Sequence, residues 1–577
     1  MKYPTLPVRP NTREMVDVFR GYNHNLRIGD GEFYDMENLS SAMYPVMSPR
    51  SGRKTYAEPV SAQGLIAKDS LCYVDGAYFV MNEYRVDMGL SAKEEDCPKM
   101  LVSMGAYVII LPDKKYINTL DLTDYGDIEA SYTSSGGVTF ELSNISGEVY
   151  AAPVVSDTEP ANPTNMSLWI DTSVKPHVLK QYSTSSAVWV TVPTTYIKIR
   201  ATGIGAAFEQ YDGVTVSGVK SEALKGLNAS MTVWAKDNDY IVVTGILDAV
   251  TTQTEPITVE RRMPNMDFVT EAGNRLWGCR YGVAANGAVV NEIYACKLGD
   301  FRNWNSFMGL STDSWVASVG TDGQFTGAVT HLGFPVFFKE TCLHKVYISS
   351  AGAHQIQDTA CRGVQKGCHR SLAIVNEVLY YKARSAVCAY DGSLPVEISA
   401  ALGEVHYSEA VAGGHGNLYY ISMKDADDYH LFCYDTAKNM WFREDRTRAD
   451  AFCSCRGEMY YIDHADGHIK TVSGGDEPVH WMAETGLIGI TLPDQKYVSR
   501  LLLRAAMDVG ATARVYGQYD SSGVWELLCA LAGSSLRSFQ VPIRPKRCDH
   551  MRLRIEGEGN MKLYAITKTI EQGSDIC

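Results

Sequence analysis

The chain has 577 residues, of which 45% are hydrophobic and 21% are charged, and this composition excludes a disordered protein. Its 53 lysines and arginines against 67 aspartates and glutamates give a net charge of −14, which excludes a protein whose main task is to grip nucleic acid. The net charge does not exclude a protein with a surface along which DNA slides without adhering.

No segment approaches 18 uncharged apolar residues, and the first 19 residues lack an apolar core of signal-peptide length. We therefore expect no membrane-spanning segment and folding in a cytoplasm. The 14 cysteines are scattered and mostly lie in apolar runs such as LLCALA, where cysteine behaves as a small hydrophobic residue. In a reducing compartment this predicts free thiols.

Residues 1–60 are predicted to be an extended N-terminal arm. The segment is rich in Asn, Gly, Ser and Pro without a sustained period, yet aromatic and aliphatic residues are interspersed throughout it. Such a segment becomes ordered by lying against a surface, which is either its own domain or a neighbouring subunit. The best helix candidate of the whole chain, PNTREMVDVF at 10–19, lies in this arm.

Residues 61–117 are predicted to form the first propeller blades. The Asp75-Gly76 pair between two β-rich runs is a strong hairpin signal. Tyr78 and Tyr107 mark two blades.

Residues 118–262 are predicted to be an inserted β domain. The segment is rich in Ser, Thr, Val and Gly, and SLWIDTSVKPHVLKQYSTSSAVWV alternates apolar and polar residues as half-exposed strands do. Insertions of this kind are tolerated in loops between blades.

Residues 263–477 repeat one phrase, an apolar pair with an aromatic member, then a polar turn, then a second strand-like run. The equivalent aromatic positions are separated by 60, 43, 39 and 41 residues, and they are Trp277, Phe337, Tyr380, Tyr419 and Tyr460. A period of roughly 40 to 50 residues with three or four short strands is typical of propeller blades. An ordinary antiparallel sheet rich in tyrosine is the alternative.

Residues 478–577 alternate over longer strands, which suits a C-terminal β-sandwich. The predicted fold class is therefore all-β: an interrupted β-propeller of about six or seven blades, with an inserted β domain, a C-terminal β-sandwich and the extended N-terminal arm.

Signatures of catalysis and cofactor binding are missing from the sequence. GxxxxGK[ST], GxSxG and HExxH do not occur. The clusters Cys361, Cys368, His369 and Cys453, Cys455 lack zinc spacing, and DHADGHI at 463–469 is better explained as a hairpin turn than as a calcium loop. We predict no catalytic residue, no cofactor and no metal site.

Several phrases resemble a known family. They are GEFYDMENLSSAMYPVMSPRSGR, EIYACKLGDFRNWNSF with STDSWVASVGTDGQFTGAV, VFFKETCLHKVY, and VQKGCHRSLAIVNEVLYYKARSAVCAYDGSLP. Together with the order of the segments, they resemble the tail-nozzle proteins of short-tailed bacteriophages and related prophages, also called tail tubular protein B or packaged-DNA stabilisation proteins.

The resemblance implies a virion structural protein and not an enzyme. In that family six copies form a ring below the portal and the head-to-tail adaptor, and the ring retains packaged DNA and conducts it during ejection. The implied partners are copies of itself, the adaptor and portal complex, other tail proteins and passing double-stranded DNA that is not bound sequence-specifically. The implied location is the tail of the virion, after assembly in the cytoplasm of the host bacterium.

The resemblance places candidate assembly contacts on the arm. Arg20, Asn23 and Asn38 would supply hydrogen bonds, Pro45 and Pro49 would hold the chain extended, and Arg50 would bind a carboxylate in a bidentate manner. The alternative is that these residues only tie the arm across its own propeller.

Two other functions stay open at this stage. A receptor- or glycan-binding tail protein would use exposed aromatic platforms such as Trp169 and Trp189, for which core packing is the simpler interpretation. A polysaccharide-degrading propeller would need a pair of carboxylates, and no single Asp or Glu stands out.

Overall fold

The structure is a computed structural model that describes residues 11–92, 99–284, 287–348, 353–491 and 495–572. The fold is all-β and propeller-like, as the sequence predicts. The chain divides into two compact units, and each is described by itself. Unit 1 takes in the described residues of Met1–Lys99, Val336–His344 and Asp358–Cys577, and unit 2 those of Met100–Pro335 and Lys345–Gln357.

The strands are short over most of the chain. Those before residue 128 are β1 (Asn11–Val16), β2 (Gly21–Tyr22), β3 (Glu32–Glu37), β4 (Leu39–Ser40), β5 (Ser48–Pro49), β6 (Gly52–Ala57), β7 (Ala62–Ala67), β8 (Leu71–Asp75), β9 (Tyr78–Met81), β10 (Tyr84–Asp87), β11 (Met100–Met104), β12 (Tyr107–Leu111), β13 (Lys115–Asn118) and β14 (Tyr125–Asp127). Those of the inserted segment are β15 (Ala130–Thr133), β16 (Val138–Ser143), β17 (Val154–Ser156), β18 (Leu168–Asp171), β19 (Val178–Ser183), β20 (Val188–Thr191), β21 (Tyr196–Arg200), β22 (Gly213–Ser217), β23 (Ser230–Thr232), β24 (Ala235–Asp237), β25 (Tyr240–Thr244), β26 (Thr251–Gln253) and β27 (Thr258–Arg261).

The strands from residue 268 onward lengthen towards the C-terminal segment. They are β28 (Phe268–Glu271), β29 (Leu276–Val283), β30 (Val289–Ala295), β31 (Trp315–Ser318), β32 (Gly327–His331), β33 (Phe334–Phe338), β34 (Cys342–Ile348), β35 (His354–Ala360), β36 (Ala373–Val375), β37 (Val378–Lys382), β38 (Val387–Tyr390), β39 (Val396–Glu397), β40 (Ser408–His415), β41 (Leu418–Lys424), β42 (Tyr429–Asp435), β43 (Met440–Arg443), β44 (Ala449–Cys455), β45 (Glu458–Asp463), β46 (Ile469–Gly475), β47 (His480–Thr485), β48 (Lys496–Tyr519), β49 (Glu526–Val541), β50 (Met551–Glu558) and β51 (Met561–Gln572).

Helical structure in the described ranges is confined to short 3-10 turns, at Ile204–Ala207, Glu222–Leu227, His369–Ser371 and Ala400–Leu402. None of these has the length or the apolar surface that crossing a bilayer requires.

The unit of repetition is an antiparallel sheet of four strands in chain order. In unit 1 such sheets are β7–β10 and β36–β39, and β44–β46 take β6 as their fourth strand. β40–β43 have the same arrangement at one end of a 12-stranded sheet that continues through β2 and β3 into the C-terminal strands. Their first strands touch in sequence, β36 with β40, β40 with β44, and β44 with β7. This contact of successive first strands is the packing of propeller blades.

Unit 2 repeats the pattern and carries the insertion. The sheets β11–β14 and β28–β31 touch through their first strands, and β28 also touches β32, the first strand of the sheet β32–β35. The inserted strands β15–β27 form three further sheets. Two of them enclose an apolar core that includes Phe140, Ile199, Phe208 and Ile241, whereas the sheet β17–β20 packs on a separate, smaller apolar cluster. The sheet β11–β14 extends to Asp127, so the predicted boundary at residue 117 lies inside this sheet. The predicted boundary is too early because the last two strands of the sheet are short and polar.

The repeated aromatic positions mark the same place in each sheet. Trp277, Phe337, Tyr380, Tyr419 and Tyr460 all lie on the second strand of their sheets. They are buried or half-buried, since that strand has a neighbour on both sides. Tyr107 lies on a second strand too, whereas Tyr78 lies on the third strand of its sheet, after the Asp75-Gly76 turn.

The arm of unit 1 consists of strands that are distributed among other sheets. β1 pairs with β51, β2 with β43, β3 with β47, and β6 with β46. The helix predicted at 10–19 is therefore wrong, since residues 11–16 pair with β51 from Asn11 opposite Glu571 to Val16 opposite Ile566. Tertiary pairing overrides a weak local propensity here.

Close approach of two backbones explains one glycine of the arm. Gly21 has φ of +79°, and a Cβ atom there would lie 2.4 Å from the carbonyl oxygen of Trp441. Only glycine combines this conformation with this contact, so β2 fits against β43.

Residues 500–505 of β48 separate an apolar face from a solvent face by alternation. Along β48, Leu501, Leu503 and Ala505 are buried, while Arg500 and Arg504 are exposed and Leu502 is half-buried. The first half of β48 pairs with β51, the second half with β50, and β49 follows β48 along most of its length.

Two neighbouring leucines test this alternation. Leu503→Ala should lower the free energy of unfolding of unit 1 by about 2–5 kcal/mol, because it leaves a cavity in a packed core. Leu502→Ala, the matched control on the opposite face, should cost less than about 1 kcal/mol. Urea denaturation followed by circular dichroism measures both, and equal losses would contradict the assignment of faces.

Candidate assembly site

Two of the arm residues predicted to make contacts, Asn38 and Arg50, meet residues 444–445 of the same chain. Asn38 has φ of 55° and donates its backbone N–H to the carbonyl oxygen of Glu444 (2.6 Å) and its side-chain amide to that of His480 (2.8 Å). Its Oδ1 accepts a hydrogen bond of 2.7 Å from Nε of Arg50. Asn38 thus fixes both the backbone and the orientation of Arg50.

Two arginines of the arm meet two adjacent carboxylates. Arg53 places Nη2 2.7 Å from Glu444 Oε2 and Nη1 2.8 Å from Asp445 Oδ2. Arg50 reaches the same pair at 3.6 and 3.4 Å. We call these four residues the arm junction. All of their side chains are largely withdrawn from solvent, so that each charge depends on its partners.

The electrostatics of the arm junction follow from burial and pairing. Burial raises the pKa of Asp445, but Arg53, the hydrogen bonds from Thr447 and Arg50 outweigh it, so the pKa lies below its usual value. Burial and the neighbouring Arg53 lower the pKa of Arg50. The carboxylate is therefore held in its charged form by the arm.

A second clamp fastens the start of the arm. Lys568 of β51 is buried, and its Nζ lies 3.1 Å from Glu14 Oε2 and 2.9 Å from Asp30 Oδ1. Sequence reasoning named neither this lysine nor Arg53. For Lys568 the available signal was a charged residue inside the largely apolar run AITKTI, whereas Arg53 lies in the basic run RSGRK, where one more charge does not stand out.

The remaining predicted arm residues act locally. Arg20 is exposed, and its backbone N–H bonds to Gly31 O. Asn23 bonds through its backbone N–H to Phe33 O and through Oδ1 to Asn25. Pro49 lies in the extended strand β5 as predicted, but Pro45 lies in a turn at 42–45, so its predicted extended role is wrong. A contact of these residues with another subunit stays a prediction.

The C-terminal hairpin β48–β49 offers the longest free strand edge of unit 1. Across the ranges that the structure describes, β49 pairs with β48 alone, which leaves the other edge of its 16 residues without a strand. Residues 527–536, LLCALAGSSL, carry no charge and no proline. Leu527 and Leu536 are exposed. Natural proteins protect such edges with lysine, proline, β-bulges or a covering segment, and residues 527–536 contain neither lysine nor proline.

One arrangement in unit 1 has the residue types of nucleophilic catalysis. His344 Nδ1 lies 2.5 Å from Asp358 Oδ1, and its Nε2 lies 3.7 Å from Cys342 Sγ. Cys342 is only 7% exposed and His344 is fully buried, and burial lowers the pKa of His344. A thiol so enclosed on a central strand has no room for a substrate, so the group serves as a polar core contact.

The aromatic platforms of the inserted segment are partly core residues. Trp169 is 5% exposed and stacks edge-on against Trp189 at 5.4 Å, with Lys180 Nζ 4.6 Å from its ring centre. The interpretation of Trp169 as an exposed platform is therefore wrong. Trp189 stays half-buried. Within the described ranges no three His, Cys, Asp or Glu side chains are grouped so as to hold a metal ion.

Comparisons with known proteins assign the chain to no family. No family model matches it, and no curated protein matches it. Among solved structures, an acylaminoacyl peptidase from Pyrococcus horikoshii is 10% identical with a TM-score of 0.24, over 50% of this chain and 46% of that one. An exo-beta-1,3-galactanase from Phanerochaete chrysosporium is 8% identical with a TM-score of 0.20, over 52% and 94%. A family 43 arabinoxylan arabinofuranohydrolase from Bacillus subtilis is 9% identical with a TM-score of 0.18, over 52% and 94%.

Removing one arginine tests the arm junction. Arg53→Met should cost about 3–5 kcal/mol of stability in unit 1, because it leaves two buried carboxylates with only Arg50. Arg27→Met, at an exposed arm position, is the matched control and should cost less than about 0.5 kcal/mol. The measurement is urea denaturation followed by tryptophan fluorescence, which gives the unfolding midpoint of each variant. Similar midpoints for the two variants would contradict a stabilising junction.

The depressed pKa of Asp445 gives the junction a pH dependence. Its stabilisation is fully present above the unfolded pKa of about 3.9 and is lost as the pH falls through the lower folded pKa. Asp445→Asn should therefore be less stable than the wild type at pH 7, and the difference should shrink below about pH 4. A difference in urea midpoint that stays constant from pH 7 to pH 3 would exclude this role.

Proposed function

We propose that the protein is a structural protein of a bacteriophage tail, which assembles into a ring-shaped nozzle or hub below the portal and adaptor. The ring retains packaged DNA and conducts it during ejection. The observation that carries the proposal is the free edge of β49, whose residues 527–536 carry no charge, since an uncharged strand edge is stable in a cell when another chain covers it.

The fixed arm supports the same conclusion. The arm junction and the Lys568 clamp bind the arm to its own chain, so its strands make a rigid base for the C-terminal sheet. A rigid base presents the free edge at a defined angle, which a closed ring of identical contacts requires. The contact is head-to-tail, and six copies follow from the family resemblance.

The proposed role is structural, not enzymatic, and it places the protein in the virion tail. Its partners are further copies, the adaptor and portal complex, other tail proteins and DNA in passage. The net charge of −14 suits a conduit, because each phosphate contact by a lysine or arginine adds affinity and slows the passage of DNA. No cofactor or metal enters this role.

Charging the free edge tests the proposal. Ala530→Lys with Ala532→Lys adds two exposed lysines on one face of β49, which should disfavour strand addition and convert rings into monomers. Ala223→Lys with Ala229→Lys adds the same charge at exposed positions of unit 2 and is the matched control. Mass photometry with and without the adaptor protein measures the number of copies.

The expected result is a ring of about six copies for the wild type and the control, formed alone or with the adaptor, and monomers for the edge variant. A wild-type chain that stays monomeric under both conditions would overturn the proposed function. A ring that survives in the edge variant would exclude β49 as the assembly edge.

A further inference from the structure

The solvent face of the C-terminal sheet carries three arginines in a compact group. Strand register places Arg13 of β1 and Arg500 of β48 on either side of Thr569 of β51. Arg504 lies four residues further along β48, opposite Ala565 and Ser538. Since neighbouring strands are about 4.8 Å apart and successive residues about 3.3 Å, the three side chains start within roughly 10–17 Å of one another.

These arginines have no counter-charge of their own. Throughout the ranges that the structure covers, no carboxylate lies within ion-pair distance of Arg13, Arg500 or Arg504, in contrast to Arg552 and Arg554, which are both paired with Glu484. Glu571, on the same face, is engaged by the hydroxyl of Tyr497 at 2.7 Å. Three unpaired like charges on one small face repel one another unless something outside the chain neutralises them.

Apolar side chains lie between the arginines. Met15 is 64% exposed and stands in one cross-strand row with Thr567, Leu502 and Gln540. We call this row and the three arginines the arginine face. Its lysine neighbour, Lys568, points to the opposite, buried face. Arginine and methionine are both enriched in protein–protein contacts.

The charge distribution of the chain indicates what covers this face. Residues 478–577 contain 12 Lys and Arg against 10 Asp and Glu, whereas the rest of the chain contains 41 against 57. The C-terminal segment is thus a weakly basic part of an acidic protein. A second copy therefore offers an acidic surface to the arginine face, and this complementarity steers and orients the contact.

We propose that the arginine face docks on an acidic surface of a second copy, as a contact separate from the free edge of β49. The inference rests on the proposed ring. A second copy is preferred over DNA as the occupant, because the exposed Met15 and the half-buried Leu502 gain from burial against a protein surface, and because arginines that held phosphate would slow the passage of DNA.

Charge reversal tests the inference. Arg500→Glu with Arg504→Glu should raise the dissociation constant between copies at least 10-fold in mass photometry, while circular dichroism stays unchanged. Arg384→Glu with Lys366→Glu reverses the same charge at exposed positions elsewhere in unit 1 and should leave assembly intact. Arg500→Lys with Arg504→Lys keeps the charge and should retain most of the assembly. Raising the salt from 0.1 to 0.5 M should weaken the wild-type ring more than the ring of the charge-reversed variant.

A parallel measurement distinguishes the two occupants. Fluorescence anisotropy of a 30-base-pair duplex should show equally weak binding for wild type and the charge-reversed variant. If the variant forms normal rings but loses DNA binding, the arginine face is a wall contact to DNA and the inference is overturned.

The two proposals fail separately. Normal rings in the charge-reversed variant, with rings lost in the β49 edge variant, would overturn the arginine face and leave the ring standing. A wild type that is monomeric alone and with the adaptor would overturn both.

Discussion

The structure of unit 1 depends on the arm junction, where Arg50 and Arg53 neutralise the adjacent carboxylates Glu444 and Asp445. Buried carboxylates are unfavourable without partners, and buried guanidinium groups equally so. The two arginines and the two carboxylates therefore offset each other's cost of burial, and their contact fixes the path of the arm across residues 38–53. With that path fixed, β3 reaches β47 and β6 reaches β46, so that two sheets acquire strands from a distant part of the sequence. A break at the junction would release both pairings together.

The C-terminal sheet has three surfaces with different chemistry. Its inner face is an apolar core, its outer face carries the arginines, and its edge strand β49 is uncharged along ten residues. The inner face explains why the sheet is stable, whereas the other two are unfavourable for a chain alone in water. A solvent-exposed edge invites strand addition, and grouped arginines invite acidic partners. Both features favour a chain that functions as one of several copies. The free edge would contribute backbone hydrogen bonds to the contact between copies, and the arginines would contribute charge complementarity.

The sequence predicted the parts of the fold that depend on local patterns. The period of the aromatic phrase identified the second strands of five sheets, because these strands are buried on both sides and are filled with aromatic residues. The Asp75-Gly76 turn was also predicted correctly from its local sequence. The helix predicted at 10–19 was wrong, because β1 exists only by pairing with β51, which no local pattern reveals. For the candidate site, the sequence singled out Asn38 and Arg50 but missed Arg53 and Lys568, since the carboxylates that they meet lie hundreds of residues away. The free edge of β49 was not predicted, because an unpaired edge is a property of the assembled sheet.

The completion of one blade by the arm has a consequence for biosynthesis. β6 pairs with β46, with Ala57 opposite Ile469, so the two halves of this sheet are separated by roughly 400 residues of chain. A ribosome that adds 5–20 residues per second delivers the second half about 20–80 s after the first. During that interval β6 has no partner strand and is accessible to other nascent chains and to proteases. A chain truncated before β46 therefore leaves β6 without its partner strand and this sheet incomplete.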